Sequence, residues 1–551
     1  MPLITVDARD ISNMTGLKMS VEEIASVLTR IDSDVDHIDG TEIRVEFFPD
    51  RPDLLSSEGV ARAVEAYVRG ERGPNIESEE SSIVMNVEES VMNVRPFVTC
   101  ALVKDVTLDS YGIKSIMDLQ EKLHITHGRK RKKVSIGIHD YDRVKEPFRY
   151  FATVPESVEF VPLASEKTMN LREIIREHDK GVAYGHLLER FSQWPLITDA
   201  DGDVLSFPPV INGRLTTVTE ETKNIFIDVT GTDWKDINVA LNIVVMALHQ
   251  RGGKVYSCEL NYPESYLNGK MKKTSFTVPF LNRENIVVSR DYALKLIGID
   301  MDDDDISLCL NRMDYDVKFD GENIIAYPPP WRAYMLHPVD VVEDIATGYG
   351  YENLEKKMPS SITYGNLLDK TAMSNAVRDL FVGAGFMEIM SLALSSSDNL
   401  VYGEQISVKN AISVEYDTVR DSLIPSLMKA MEINKRRDLP QKVFEIGYVV
   451  DNRKNVLMCA TGIIGREAGF TAMKGYAEIM MTHFGIEGGL KTFSNDIFIP
   501  GRAACVMVKE KMVGIFGEIK PEKIVERGLS NPVSVMEFNL ELMGRISGTI
   551  K

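Results

Sequence analysis

Cysteine is scarce and scattered in this chain. Cys100, Cys258, Cys309, Cys459 and Cys505 are the five cysteines among 551 residues, and no two form a CxxC pair. That excludes a thiolate zinc cluster and points to reduced thiols in a cytosolic compartment. The nine histidines include no HExxH, so a zinc protease has no support. Long apolar runs are also missing. The longest, near residues 237–248, is interrupted by Asn238 and Asn242 and is too short to span a bilayer. The opening MPLITVDARD is acidic and lacks an apolar core, so it is not expected to be a signal peptide. Positive charge is in deficit: 63 Lys and Arg face 82 Asp and Glu, a net charge of −19. Such a surface as a whole repels nucleic acid, so any RNA contact must come from a local patch or a partner. With 44% apolar and 26% charged residues, what remains is an ordinary globular composition. The length suits roughly three to five domains.

Punctuation divides the chain into four parts. Residues 1–90 open with an extended segment at 3–7 and a helix at about 20–31, with Ser20 as cap and Glu23 completing a capping box. Val45-Glu46-Phe47-Phe48-Pro49-Asp50-Arg51-Pro52-Asp53-Leu54-Leu55 follows, and its prolines impose a rigid extended turn. Ser56 or Ser57 then caps a helix running to Gly70. Residues 73–82, rich in Gly, Pro, Glu and Ser, read as a linker. A second domain spans 91–268 and a smaller unit 275–357. From 360 to 551 helices and strands alternate again, and no solenoid repeat is visible. Within the smaller unit, consecutive aspartates at 302–305 cannot converge on one ion and read as a solvated helix start.

The densest acidic pattern is His337-Pro-Val-Asp-Val-Val-Glu-Asp344. Pro338 suits a first helical turn. Continued as helix, the sequence puts Asp340, Glu343 and Asp344 at i, i+3 and i+4 on one face, with Val339, Val342 and Ala346 on the other. Three carboxylates so close need a cation or ample solvent, and hard oxygen donors favour Mg²⁺ over zinc. Acids in a first turn also simply complement the helix dipole, and spacing alone leaves both possibilities open.

The second domain carries a different constellation. In Asn224-Ile-Phe-Ile-Asp-Val-Thr230, Ile225, Ile227 and Val229 face one way while Phe226, Asp228 and Thr230 face the other. Gly231-Thr232-Asp233 leads into a helix from near Trp234 to just before Gly252, so polar groups arrive at a helix N-terminus. Upstream, Ser206-Phe-Pro-Pro-Val-Ile-Asn212-Gly213 adds a stiffened segment with Ser and Asn. Together these suit a small pocket, although Thr and Asp near a helix start are also ordinary caps. Residues 129–133, five bases in a row, are by default a solvated loop and otherwise a candidate phosphate contact.

Five ordered segments carry a family resemblance: Phe48-Pro-Asp-Arg-Pro-Asp-Leu-Leu-Ser56, Lys133-Val-Ser-Ile-Gly-Ile-His-Asp140, Pro209-Val-Ile-Asn212 with residues 224–233, residues 337–350, and Val419-Arg-Asp-Ser-Leu-Ile-Pro425 with Phe444-Glu-Ile-Gly447. They cover the whole chain. The sequence resembles the phenylalanyl-tRNA synthetase beta subunits of archaeal and eukaryotic cytosolic type. The resemblance implies an α+β multidomain chain: an N-terminal structural and interface domain at 1–90, an editing, tRNA-binding domain at 91–268, a small α/β domain holding Mg²⁺ at 275–357, and a class II synthetase-like antiparallel sheet domain at 360–551. It implies a cytoplasmic heterotetramer of two alpha and two beta chains. That assembly joins phenylalanine to tRNA(Phe) at the expense of ATP, with ATP and phenylalanine held by the catalytic alpha subunit. By the same resemblance Leu196, Ser206, Asn212, Asp228, Thr230 and Gly231 surround a pocket that hydrolyses tyrosine wrongly esterified to tRNA(Phe), and Asp340, Glu343 and Asp344 hold Mg²⁺.

Physical chemistry fits that division. A pocket made for phenylalanine rejects an added hydroxyl only by roughly 10²-fold, so a second site must demand the hydroxyl. Asp228, Ser206 or Asn212 suit that demand. Asp228 is one candidate general base, and water positioned against the substrate's own ribose hydroxyl needs none. The last domain departs from a working class II site. No Phe-Arg-x-Glu precedes Phe444-Glu445-Ile-Gly, and residues 528–539 lack Gly-x-Gly-x-x-x-Arg, while Arg502 and Lys509 stand isolated. The expectation is a non-catalytic copy of the fold. In relatives an aspartate often stands two residues after the equivalent of Arg332; here it is Tyr334. Three functions compete: an editing subunit, a scaffold that positions tRNA without editing, and an autonomous ligase, the last disfavoured by the missing arginines.

Overall fold

The computed structural model describes residues 2–31, 33–358, 363–403 and 406–550. The boundary expected between 357 and 360 lies partly outside these residues. The chain separates into two compact units, residues 1–357 and 358–551, so the three parts expected before residue 358 share one unit. The whole is a mixed α/β multidomain chain.

The first unit begins with a small antiparallel sheet. Its central strand, Glu42–Phe47, is flanked by Leu3–Asp7 and Ser33–Asp39. The helix Val21–Arg30 starts on the Ser20–Glu23 capping box anticipated from spacing. Ser56 caps the helix Ser57–Arg69, which stops where Gly70 adopts φ 66°. In the intervening Pro-Asp-Arg-Pro-Asp segment Pro49 and Asp50 are exposed, but the chain then turns inward: Arg51 pairs with Asp53 at 2.8 Å, both buried.

Two further sheets frame the second domain. One is four-stranded and antiparallel, ordered Lys254–Tyr256, Phe97–Lys104, Ile225–Gly231, Val134–Asp140. The other has seven strands and runs from Ile211–Asn212 through Val204–Phe207, Trp194–Thr198, Phe148–Thr153, Val84–Val87 and Cys258–Asn261 to Ser275–Val278. The helix Trp234–Gln250, capped by Asp233, packs on the four-stranded sheet and is buried continuously from Ile237 to Leu248. This accounts for the longest apolar run, since a helix covered on all sides has no polar stripe. Its two interruptions are paired: Asn238 Nδ2 donates to Trp234 O at 2.7 Å, and Asn242 Nδ2 to Phe280 O and Pro330 O at 2.9 and 3.0 Å.

A third small sheet, Ile286–Ser289, Asn323–Tyr327 and Asp316–Phe319, carries the helices Asp303–Arg312 and Pro338–Tyr349. Asp302 caps the first of these helices. The second begins at Pro338 as expected, but its inward face differs. Val341, Val342, Ile345, Ala346 and Asp344 are buried, whereas Val339 is exposed. The helix is rotated so that Asp344 reaches an interior cation.

The second unit is built on a seven-stranded sheet ordered Met387–Glu388, Gln441–Asp451, Lys454–Ile464, Val533–Asn539, Lys511–Ile519, Phe498–Val508, Gly489–Thr492. It is antiparallel except for the edge strand Met387–Glu388, which runs parallel to its neighbour. The helices Asp369–Gly383, Phe470–His483 and Leu540–Ser547 supply one apolar cluster, and Ile424–Ile433 supplies another. Among the described residues no helix is long and apolar enough to cross a membrane.

Candidate functional site

Strand pairing assembles the polar face of Ile225–Gly231. Asp228 stands opposite Cys100 on one side and Gly137 on the other, and Thr230 opposite Val98 and Ser135. His139, two residues beyond Gly137, therefore presents its ring on the same face. Its Nε2 lies 2.6 Å from Asp228 Oδ2, and its Nδ1 lies 2.8 Å from Thr216 Oγ1. Thr216 also donates to Gly213 O at 3.3 Å. A line of hydrogen-bonding groups thus runs from Asp228 through His139 and Thr216 to the backbone beside Asn212. Asp228 Oδ1 accepts no hydrogen bond from any described residue. The pair is deeply interior, with His139 at 0% and Asp228 at 1% exposure. Glycine at 137 is required: a Cβ there would sit 2.1 Å from Asp228 Oδ2 and 2.6 Å from His139 Nε2.

The other expected pocket residues divide. Ser206 is in register with Asn212, and its Oγ donates to Asn212 Oδ1 at 3.4 Å. Ser206 also pairs with Ile197, which pairs with Tyr150, so these share one face of the seven-stranded sheet. Leu196, the neighbour of Ile197, points to the opposite face and packs with Trp194, Phe207 and Phe160 in a separate apolar cluster. Thr230 is engaged by Arg95, which donates from Nε to Oγ1 at 2.8 Å and from Nη2 to the carbonyl at 2.7 Å. Burial pushes Arg95 down to about 10. Gly231 permits close approach, since a Cβ there would lie 2.4 Å from Lys133 O and 2.5 Å from Ile237 Cγ2.

The basic run is not uniformly solvated. Arg131 is buried and donates from Nη1 to Val210 O at 2.8 Å and from Nη2 to Glu121 Oε2 at 2.9 Å. Its guanidinium lies 4.4 Å above the Tyr184 ring. The hydrogen bond from His124 and the charge of Arg131 hold Glu121 well below the usual carboxylate range. Burial holds His124 near 4, so it is neutral at pH 7 and accepts from Ile136 N at 2.8 Å. His139, Thr216, Arg95 and Glu121 were not singled out in the sequence. The available signal for His139 was its alternation with Ser135 and Gly137 on a strand.

The acidic helix does not assemble the expected three-carboxylate cage. Asp344 is the counter-ion of buried Arg332 at 3.0 Å and accepts from the Tyr315 hydroxyl. Asp340 closes its own helix N-terminus, accepting from Leu336 N and His337 N at 2.7 and 2.8 Å. Among the described residues no group of three His, Cys, Asp or Glu side chains is arranged to hold a metal ion. Asp340, Glu343 and Asp344 instead border a cleft of about 360 Å³ shared with Asp50, Arg51, Arg332 and Tyr334. The Tyr334 hydroxyl lies 3.1 Å from His127 Nδ1.

In the second unit, Arg420 and Glu445 pair at 2.8 Å, both buried, and Arg420 Nε donates to Tyr448 O at 3.0 Å. A Cβ on Gly447 would lie 2.4 Å from Arg420 Nη2. The Val-Arg-Asp and Phe-Glu-Ile-Gly segments therefore meet as one packed ion pair. Burial raises Glu537, on the strand Val533–Asn539, to about 7, opposed by hydrogen bonds from Leu423 N, Tyr402 and Ser422.

Comparisons with known proteins agree along the whole length. Residues 105–245 match the B3/4 domain, 286–351 the tRNA synthetase B5 domain, and 354–540 the phenylalanyl tRNA synthetase beta chain CLM domain. The phenylalanine–tRNA ligase beta subunit of Methanothrix thermoacetophila is 39% identical, covering 98% of this chain and 100% of the relative. That of Methanococcoides burtonii is 38% identical over the same shares. The crystal structure of an N-terminal fragment of the Pyrococcus horikoshii phenylalanyl-tRNA synthetase beta subunit superposes with a TM-score of 0.60 at 34% identity, covering 63% of this chain and 99% of the fragment. With identity at this level sustained from end to end, the chain belongs to the phenylalanine–tRNA ligase beta subunit family and is a ligase subunit of an aminoacyl-tRNA synthetase.

Proposed function

We propose that the second domain is a hydrolytic editing centre for tyrosine misattached to tRNA(Phe), working in a cytoplasmic complex whose alpha subunit binds ATP and phenylalanine and makes the aminoacyl ester. One observation carries this reading: Asp228 has one oxygen fixed by His139, while the other accepts no hydrogen bond from the described residues. A fixed carboxylate with a spare acceptor suits a phenolic hydroxyl, which phenylalanine lacks. A site built around that hydroxyl discriminates strongly, because without it a buried acceptor is left unpaired. Ser206 and Asn212, on the sheet that pairs with the Gly213 segment, supply further polar contacts. Hydrolysis then requires a water directed at the ester carbonyl. The ester C–O bond breaks, the leaving ribose oxygen takes a proton, and tyrosine departs as the acid. Asp228 positions rather than reacts in this scheme, and the substrate's neighbouring hydroxyl directs the water.

A purely structural reading has its own support, since Asp228 and His139 are almost wholly buried and such pairs serve cores as well as sites. The assembled enzyme decides between them. Asp228→Ala should raise tyrosine misacylation of tRNA while phenylalanine activation keeps its rate. Equal loss of both activities would assign Asp228 to the core.

Two further roles belong to this proposal. Residues 360–551 act as a non-catalytic partner fold, supported by Arg420 being bound up with Glu445 rather than presented to a nucleotide. The edge strand Met387–Glu388 and the exposed side chains of Met390 (96%), Leu392, Ile412 and Val414 offer apolar surface for the alpha subunit in a two-alpha, two-beta assembly. A Mg²⁺ ion on the acidic helix would find Asp340 and Glu343 as oxygen donors. Asp344, neutralised by Arg332, does not fit as a third, and the hydrolytic scheme needs no ion.

A further inference from the structure

Arg129, Lys130 and Arg131 all hold left-handed backbone, with φ of 49°, 55° and 63°. Left-handed conformation costs a non-glycine residue roughly 1–2 kcal/mol and is normally visited singly, so three in succession need external support. Backbone bonds provide part of it: Lys130 N donates to Ile125 O, Arg131 N to His124 O, and Lys133 N to Gly128 O. Arg131 provides the rest by reaching into the interior toward Val210 O and Glu121. The strained turn thereby leaves Arg129, Lys130 and Lys132 projecting from the surface. None of these three side chains forms an ion pair or hydrogen bond with any described residue, in a chain with 19 more acids than bases.

The turn is also wired to both sides of the candidate pocket. On one side Arg131 holds the carbonyls of Pro209 and Val210, just before Asn212. On the other, Lys132 O accepts from Arg95, which grips Thr230, and Thr232 N donates to Lys133 O. We propose that Arg129, Lys130 and Lys132 form a phosphate clamp at the mouth of this pocket, contacting the RNA backbone that leads to the esterified 3′ end. Phosphodiester contacts fix register without reading bases. A local cationic cluster on an acidic chain is the arrangement by which the rest of the surface repels RNA while one edge admits it. The clamp rests on the hydrolytic reading only for which RNA it holds.

The test uses the full complex purified with its alpha subunit and a fluorescein-labelled, unacylated tRNA transcript, with affinity measured from 50 to 200 mM salt. Three single-stranded phosphate contacts contribute a slope of about 2 in log affinity against log salt. Over that range the native complex should therefore lose roughly 20-fold more affinity than the Arg129→Gln/Lys130→Gln/Lys132→Gln variant. The charge-keeping variant Arg129→Lys/Lys130→Arg/Lys132→Arg should keep the native slope. An unchanged slope in the Gln variant overturns the clamp, as does a slope lost equally in the charge-keeping variant. Loss of the alpha subunit from the Gln variant also overturns it, assigning the cations to a protein contact. A native complex that shows the salt difference yet does not hydrolyse tyrosyl-tRNA keeps the clamp and removes the editing reading.

Discussion

Gly137→Ala places one methyl group against the most buried polar contact of the candidate pocket. The added carbon would meet Asp228 Oδ2 at 2.1 Å and His139 Nε2 at 2.6 Å. Both groups are interior and cannot swing into solvent, so the carboxylate must retreat by about 1 Å, enough to cost catalysis roughly 10²-fold where geometry matters. Overpacking of this kind costs about 1–3 kcal/mol. Losing the 2.6 Å bond while both partners stay buried adds about 1–3 kcal/mol. A total near 3 kcal/mol is expected, roughly a hundredfold in the folded population. All three tryptophans, Trp194, Trp234 and Trp331, lie in the first unit, so urea unfolding followed by tryptophan fluorescence reports on that unit alone. The double variant Gly137→Ala/Asp228→Ala removes the obstacle and should be less destabilised than the two single changes summed, by at least about 0.5–1 kcal/mol. Native unfolding midpoint and native tyrosyl-tRNA hydrolysis in Gly137→Ala would refute the claim that this glycine makes room for the pair.

Two more outcomes follow from the described groups. Because burial raises Glu537 from 4.5 to about 7, the folded second unit holds a proton that the unfolded chain releases. Its contribution is complete below about pH 4.5 and is lost as pH rises through about 7, on the order of 3 kcal/mol. Calorimetry from pH 5 to 8 should show the second unit weakening, and Glu537→Gln should flatten that trend; equal slopes in both proteins would exclude Glu537 as its source. Asp344→Asn should destabilise the first unit by about 3–5 kcal/mol, because Arg332 would stay buried without its counter-charge. Exchange of Mg²⁺ for EDTA should leave the tryptophan-monitored midpoint of the native protein unchanged. A midpoint that falls with EDTA only while Asp344 is intact would return that carboxylate to a metal.

Local signals were legible where one turn of chain decides the matter. Ser20 with Glu23, Ser56 with Gly59, Gly70 with Ala66 and Asp233 with Asp236 all act within four residues, and each marks a helix end in the structure. The face of Asp228 and Thr230 followed from strand alternation alone. What escaped was pairing at a distance. His139 and Asp228 are 89 residues apart, and only the register between two strands joins them. Arg131 looked like one of five equivalent bases, yet it faces inward because the left-handed turn reverses the chain there. Asp344 shares helical spacing with Asp340 and Glu343, but a partial rotation that exposes Val339 and keeps Val342 and Ala346 buried gives it to Arg332. Spacing states which side chains share a helix face; it does not state where that face points.

The Arg420–Glu445 pair has a consequence for how this second unit changes by mutation. Arg420 lies against the strand Gln441–Asp451, where it is locked by the Glu445 carboxylate and by Gly447 beside it. Freeing it by replacing Glu445 would leave a buried cation with no counter-charge, and enlarging Gly447 would displace it into surrounding atoms. Every single step toward exposing that charge passes through a less stable protein. On the proposed reading of residues 360–551 as a non-catalytic partner fold, that role is held by a stability barrier, independently of any selection on activity.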